Sequence, residues 1–222
     1  MKLQDLIAIY ETKKKYYGNL TYQYISEIFK DAKEIHRQEC IKRGLRDSEQ
    51  SFRAFKGKNL EKIIEYIISS EVKSMGLEII NGNKLERSKN LSIDLQMIKR
   101  NLCIDYDEFG LHLPDVDMVI YEPQTYKILA VLSSKVTLRE RVAQTGYWKL
   151  KLSQSQITKH IKVFFITLDE DETLKYKKPS KKGRAIVESD TDGCYILTKN
   201  NVETTKKVKY FNEFINDLKQ IL

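Results

Sequence analysis

The chain has 222 residues, 41% hydrophobic and 32% charged, which suffices for one full apolar core and excludes long disordered or low-complexity stretches. Its 39 Lys and Arg against 31 Asp and Glu leave a net charge of +8, a surplus that favours polyanionic partners because neutralised phosphates release bound counterions. The scattered Cys40, Cys103 and Cys194 have no C-x-x-C spacing, which excludes a disulfide framework and a zinc site, and no apolar run reaches membrane length.

Residues 1 to about 50 are predicted helical. Leu3, Leu6, Ile7 and Tyr10 recur at helical spacing, as do Tyr24, Ile25, Ile28 and Phe29. The opening Met1-Lys2-Leu3-Gln4-Asp5 lacks a signal-peptide core, so a cytoplasmic protein with reduced thiols is expected. Lys13, Lys14 and Lys15 read as a solvated basic face. Gly18-Asn19-Leu20-Thr21 reads as a helix stop and restart, with Thr21 as the N-cap. A further helix is predicted from about Asn59 to Met75, striped by Leu60, Ile63, Ile64, Ile67 and Ile68, with Gly57 and Gly76 as its start and stop signals. Leu77 to Ile80 is a short strand and Asn81-Gly82-Asn83 a turn.

Asp117 to Tyr121 reads as a strand, Glu122-Pro123-Gln124-Thr125 as a turn and Tyr126 to Ser133 as a second strand, together a β-hairpin. Residues 138 to 152 are predicted helical. Val163 to Leu168 is a buried strand, Asp169 to Lys182 a charged loop, Cys194 to Leu197 a strand, and Tyr210 to Leu222 a closing amphipathic helix. This order predicts an α/β (α+β) core with a central mixed β-sheet flanked by helices. The N-terminal residues, 1–50, form a helical region of their own, for DNA binding or dimerisation, ahead of a main domain at 51–222.

The informative stretch is Leu113-Pro114-Asp115-Val116-Asp117 followed by Ser133-Ser134-Lys135. Asp115 and Asp117 are two apart, so their side chains share one face. Antiparallel pairing across the turn brings residues 115 to 117 close to 133 to 135, and carboxylates meet an ammonium at one end of the sheet. Phosphodiester hydrolysis needs that combination: carboxylates hold Mg²⁺, a hard cation that prefers oxygen ligands, and a lysine beside it orients the attacking water and stabilises developing charge. His36, His112 and His160 show no ligand spacing, and His112 is assigned an ordinary structural use.

Pro-Asp, a hairpin and a lysine at the end of the second strand resemble the PD-(D/E)xK nucleases, in the variant where Ser133 replaces the acidic residue two before the lysine. The string from Ser133 to Gln144 (Ser-Ser-Lys-Val-Thr-Leu-Arg-Glu-Arg-Val-Ala-Gln) is similar to the restriction endonucleases that read CCGG or CCNGG-type sites. That resemblance implies a restriction-endonuclease-like fold over 51–222 and a type II enzyme that cuts double-stranded DNA with Mg²⁺ and without a small-molecule cofactor. Gly57-Lys58-Asn59-Leu60-Glu61 resembles the family's early helix, which makes Glu61 a metal ligand or its neighbour, alongside Asp117 and Asp115. One departure is clear. The helix carboxylate that compensates for the lost strand acid would fall at 148 or 149, where this chain has Trp148 and Lys149.

Arg139, Glu140 and Arg141 open the following helix. Arginine contacts guanine O6 and N7 bidentately and glutamate accepts from cytosine N4, so the resemblance implies a G·C-containing site, with Gln144 adding a contact. Lys177, Lys178, Lys181 and Lys182 are expected phosphate contacts on the charged loop. A palindromic site implies a homodimer. Competing readings are a nuclease of repair or mobile elements and a catalytically degenerate DNA-binding module of the same fold.

Overall fold

In the computed structural model, which describes residues 2–44, 47–138 and 141–222, helices flank a mixed β-sheet on both faces. The chain begins with α1 (Leu3–Tyr17), a 3-10 turn (Gly18–Tyr24), α2 (Ile25–Lys42) and α3 (Ser48–Ser74). Then follow β1 (Glu78–Asn81), α4 (Gly82–Arg87), α5 (Ile93–Leu102) and the short pair β2 (Ile104–Asp105) and β3 (Leu111–His112). The hairpin is β4 (Met118–Tyr121) and β5 (Ile128–Lys135). The rest is α6 (Arg141–Ser153), β6 (Lys162–Thr167), α7 (Lys182–Asp190), β7 (Gly193–Ile196), β8 (Val208–Tyr210) and α8 (Phe214–Lys219).

Among the described residues the main sheet runs β1-β4-β5-β6-β7-β8. The first two pairings are antiparallel and the last three parallel, so the sheet is mixed as expected. Side chains alternate between its faces. Met118, Ile120, Ala130, Leu132, Phe164 and Ile166 join one core with α1 to α3 and α8. Val119, Val131 and Val163 face the opposite way onto α4, α5 and α6. Farther along that second face, Phe165, Cys194 and Ile196 pack with Val142 and Val187. The first seven residues of β5 are buried without a break, as a strand covered on both faces requires. The stripe Leu60, Ile63, Ile64, Ile68 and Val72 fixes α3 to the sheet; each such side chain contributes roughly 1.5–3 kcal/mol by leaving water. The expected junction at residue 50 falls inside α3, and the N-terminal helices share their core with the sheet.

Several boundaries differ from expectation. Helix α3 starts eleven residues before Asn59, at Ser48, because the Asp47 carboxylate accepts from the Gln50 amide at 2.8 Å and caps it. Gly57 is therefore helix interior, and the helix stops where Gly76 takes a positive φ of 74°. Thr21 is no N-cap: it lies in the 3-10 turn and its Oγ1 donates to the Gly18 carbonyl at 2.6 Å. Asn81-Gly82-Asn83 is not a free turn, since the Asn81 side chain accepts from the Asn83 amide at 3.0 Å and starts α4. The charged loop closes into α7, and Arg184, two residues past the loop's expected end, is buried, donating to the carbonyls of Leu174 and Glu203. The closing helix is shorter than expected because Tyr210 ends β8 and a 3-10 turn (Phe211–Glu213) precedes α8. All three cysteines are free, and among the described residues no helix is long and apolar enough to cross a membrane.

Candidate active site

The hairpin register sets Met118 opposite Leu132 and Val119 opposite Val131. Asp117, one residue before β4, continues that register by donating its amide to the Leu132 carbonyl at 3.0 Å. Its own carbonyl accepts from the Gly82 amide at 2.9 Å. The backbone on both sides of Asp117 is thereby fixed. An added Cβ at Gly82 would lie 1.9 Å from the Val116 carbonyl oxygen, so only glycine allows this approach.

The Asp117 carboxylate is buried at 6% exposure, and it is fully engaged. The Ser134 amide donates to Oδ2 at 2.6 Å and the Ser134 hydroxyl at 3.3 Å. Lys135 Nζ donates to Oδ2 at 2.7 Å and to Oδ1 at 3.1 Å. Charge-assisted bonds of this kind offset the desolvation of a buried carboxylate. Glu61 approaches from α3. Burial first, then the negative charge of Asp117, pushes its carboxyl up to about 7, against the opposing pull of Lys135. Two carboxyl groups and one ammonium thus share a half-buried space.

The remaining expected residues are distributed more widely. Asp115 is exposed and its Oδ2 accepts from Gln144 Nε2 at 2.9 Å, so Gln144 reaches the acidic segment from α6. Ser133 is buried in the sheet opposite Phe165. Arg141 is exposed at the start of α6; Arg139 and Glu140 lie outside the described residues. Lys177, Lys178, Lys181 and Lys182 are exposed, and Lys181 Nζ donates to the Asp171 carbonyl at 3.0 Å. None of these four lines the cleft described next. Lys149 pairs with Asp192 at 2.7 Å, and the half-buried Trp148 packs on Tyr147, so neither brings an acid to Asp117. His112 bonds the Phe109 carbonyl at 2.9 Å, a structural use as expected.

The site opens into a cleft of about 1130 Å³ that runs past Glu61, Ser134, Lys135 and Arg141. Its floor is formed by the carboxyl ends of the parallel strands β5, β6 and β7, continued by Val136, Asp169 and Thr198, the usual position for a ligand on such a sheet. Its other wall is α2 and the first half of α3. Glu170 ties wall to floor by accepting from Lys56 Nζ and, at 3.1 Å, from the Ser26 hydroxyl. Ser134, Asp169 and Glu170 were not singled out from the sequence. For Ser134 a signal was available: the residue after the one paired with a strand-entry Asp offers its amide to that carboxylate.

Residues 94–220 match a family model described as BsaWI restriction endonuclease type 2. The protein MjaVIP of Methanocaldococcus jannaschii, which carries the name of a type II restriction enzyme, is 34% identical over 227 residues, spanning 100% of this chain and 95% of its own length. HpyAORF263P of Helicobacter pylori, named likewise, is 39% identical over 132 residues, spanning 60% of this chain and 67% of its own. Among solved structures, the restriction endonuclease PspGI in complex with substrate DNA superposes with a TM-score of 0.57 at 16% identity, covering 100% of this chain and 93% of that one, a likeness of fold.

Proposed function

The chain belongs to the BsaWI restriction endonuclease type 2 family, and from that premise we propose that it cuts double-stranded DNA at a short, palindromic, G·C-containing site in a Mg²⁺-dependent reaction. The enzyme class follows from the family: a type II site-specific deoxyribonuclease with a restriction-endonuclease fold. The observation that carries the chemistry is the pairing of Lys135 with Asp117 beside Glu61 at the mouth of a cleft.

The donor set suits a divalent cation. Among the described residues no cluster of three or more His, Cys, Asp or Glu forms a cage. Mg²⁺ does not need one, because it is usually held by one or two carboxylates, with waters and substrate phosphates completing the shell. Asp117 and Glu61 are the residues that would hold it, with Asp115 at the exposed edge. The elevated Glu61 carboxyl supports this reading, since two acids forced together in a half-buried space favour a compensating positive charge. A cation held by these residues would supply Lewis-acid activation of the phosphate and of the attacking water. Lys135, held by Asp117, positions the attacking water and offsets charge developing on the phosphate. Asp117 keeps the ammonium in place, and Ser134 keeps Asp117 in place. Ser133 stands where relatives of the fold carry an acid and contributes none.

Base reading falls to the start of α6. Arg141 lines the cleft, and Arg139 and Glu140 precede it in sequence. Their Arg-Glu-Arg alternation supports a G·C-containing target. Gln144 bridges this helix to Asp115 and couples recognition to the acidic segment. Lys177, Lys178, Lys181 and Lys182 would meet phosphates outside the cleft. A palindromic target calls for a homodimer, with the chain acting in the cytoplasm.

A second reading, a DNA-binding module that has lost catalysis, is favoured by Trp148 and Lys149 standing where the compensating acid is expected. Digestion of a sequenced phage genome with Mg²⁺, followed by mapping of the ends, decides. Discrete fragments with one shared end sequence are expected. A smear overturns site specificity, and intact DNA overturns the enzyme reading.

A further inference from the structure

The first half of α3 lies along the cleft and carries features that the cutting chemistry does not use. Arg53, Gly57 and Glu61 follow one another at intervals of four along this helix and all line the cleft, so they form one stripe that ends at the candidate active site. Apart from Lys135 and Arg141, the cleft's cations divide into two kinds. Lys33, Lys56 and Lys199 are neutralised by Glu49, Glu170 and Glu27. Arg53 and, from α2, Lys30 are exposed; among the described residues neither closes an ion pair, although Lys30 is near enough to Glu27 to help hold its carboxyl down. Gly57 is the second observation. Glycine inside a helix is unfavourable relative to alanine. Yet a Cβ added at Gly57 would meet nothing within 4 Å, so no packing within the protein requires its absence. A helix-interior glycine that faces an open cleft and crowds nothing leaves room for a bound chain.

We propose that the Arg53–Gly57–Glu61 stripe is the track for the backbone of the cleaved DNA strand, with Gly57 as the point of closest approach and Arg53 and Lys30 holding phosphates beyond it. This rests on the nuclease reading and adds to it the path of the substrate. At 1.5 Å per residue, Arg53 stands roughly 12 Å from Glu61 along the helix. Phosphates along one strand lie farther apart than the ~3.4 Å axial rise per nucleotide because the backbone winds around the duplex, so Arg53 meets a phosphate only a couple of nucleotides from the one at the active site. The N-terminal helices then act as one wall of the DNA channel, and their contacts are to phosphate and carry no sequence preference.

The test uses the full chain, a labelled random-sequence duplex without divalent ions for binding, and phage DNA with Mg²⁺ for cutting. Arg53→Ala and Lys30→Ala are each expected to reduce the slope of log affinity against log salt by about one, while Lys219→Ala, on the exposed side of α8, leaves it unchanged. Gly57→Ala is expected to raise Tm by about 2–4 °C through helix propensity. At the same time it should lower cutting roughly a hundredfold, by displacing the strand about an ångström. A wild-type chain that neither binds nor cuts would sink the nuclease reading itself. If the wild type cuts and the slopes for Arg53→Ala and Lys30→Ala match that of wild type, or Gly57→Ala cuts at the wild-type rate, the track alone is overturned. A fall in Tm for Gly57→Ala overturns it too, because the glycine would then serve the fold.

Discussion

The Lys135 ammonium donates to both oxygens of the Asp117 carboxylate, at 2.7 and 3.1 Å, across the open end of the β4–β5 hairpin. Asp117 keeps the Ser134 amide as a second partner, so removing the lysine leaves the carboxylate buried but still hydrogen-bonded. The fold therefore tolerates the loss better than the chemistry does. Lys135→Ala is expected to lower single-turnover cutting by about 10²–10³-fold, the usual effect of deleting one charge-stabilising donor. Affinity for duplex DNA in the absence of divalent ions should stay close to wild type. Loss of binding in parallel with cutting would make Lys135 a DNA anchor and refute its placement at the reacting phosphate.

Asp117 and Asp115 are close in sequence but unequal in setting. The first is buried and holds an ammonium; the second is exposed and holds a neutral amide. If Asp117 holds the proposed cation, Ca²⁺ or Mg²⁺ should raise the Tm of the wild type by binding the folded state, and Asp117→Asn should abolish both that rise and cutting. Asp115→Asn should keep most of that rise and reduce cutting less. Differential scanning calorimetry with and without Ca²⁺ separates the two, and equal losses in both variants would show that the acids act as one ligand set.

Asp169 gives the fold a pH dependence. Its carboxyl is buried, which raises its pKa from 3.8 to about 6, while the amides of Leu174 and Thr173 pull the other way. Between those two values the native state binds more protons at this group than the unfolded chain does. Its contribution to stability is thus present at low pH and is lost as pH rises through that window. Asn cannot titrate. Asp169→Asn should therefore gain stability relative to wild type by about 2–3 kcal/mol from pH ~4 to pH ~6, with no further change above. Urea midpoints measured across that range check this, and a constant offset between the two proteins would reject it. The loss of an acceptor for the Leu174 amide shifts the whole curve without tilting it.

What could be read from the sequence follows the range of each signal. The hairpin was legible because two short apolar runs, Met118–Tyr121 and Ile128–Leu132, and the Glu122–Thr125 turn between them are local signals, and its pairing alone placed Asp117 near Lys135. Helix α7 and strand β8 were missed for a physical reason. Arg184 reads as a loop cation until tertiary structure supplies the Leu174 and Glu203 carbonyls that satisfy it in the interior, and Val208–Tyr210 is only three residues long. The start of α3 was misplaced because Gly57 reads as a start signal, whereas the cap that matters, Asp47, lies ten residues earlier in a polar stretch without an apolar stripe. The cleft wall was not legible at all. Lys30 and Arg53 lie on different helices and become neighbours of the site only through the packing of α2 on α3.

Gly82 offers the sharpest check that backbone approach positions the active site. Asn-Gly-Asn is common in turns, which hides what this glycine does: its amide binds the Asp117 carbonyl at 2.9 Å, and its missing Cβ leaves room for the Val116 carbonyl. A methyl group there would sit 1.9 Å from backbone oxygen, a clash that no side-chain rotation relieves. Gly82→Ala must push the 116–117 segment away from α4. The same movement stretches the Asp117 amide bond to Leu132 and shifts the carboxylate relative to Ser134 and Lys135. Overpacking of this kind destabilises by about 1–3 kcal/mol, and an ångström of misplacement lowers the rate by roughly a hundredfold. The variant should thus fold with a reduced Tm, cut far more slowly than its stability loss accounts for at temperatures where it is fully folded, and bind duplex DNA nearly as before. Wild-type cutting by folded Gly82→Ala would mean that Asp117 is positioned by the hairpin alone.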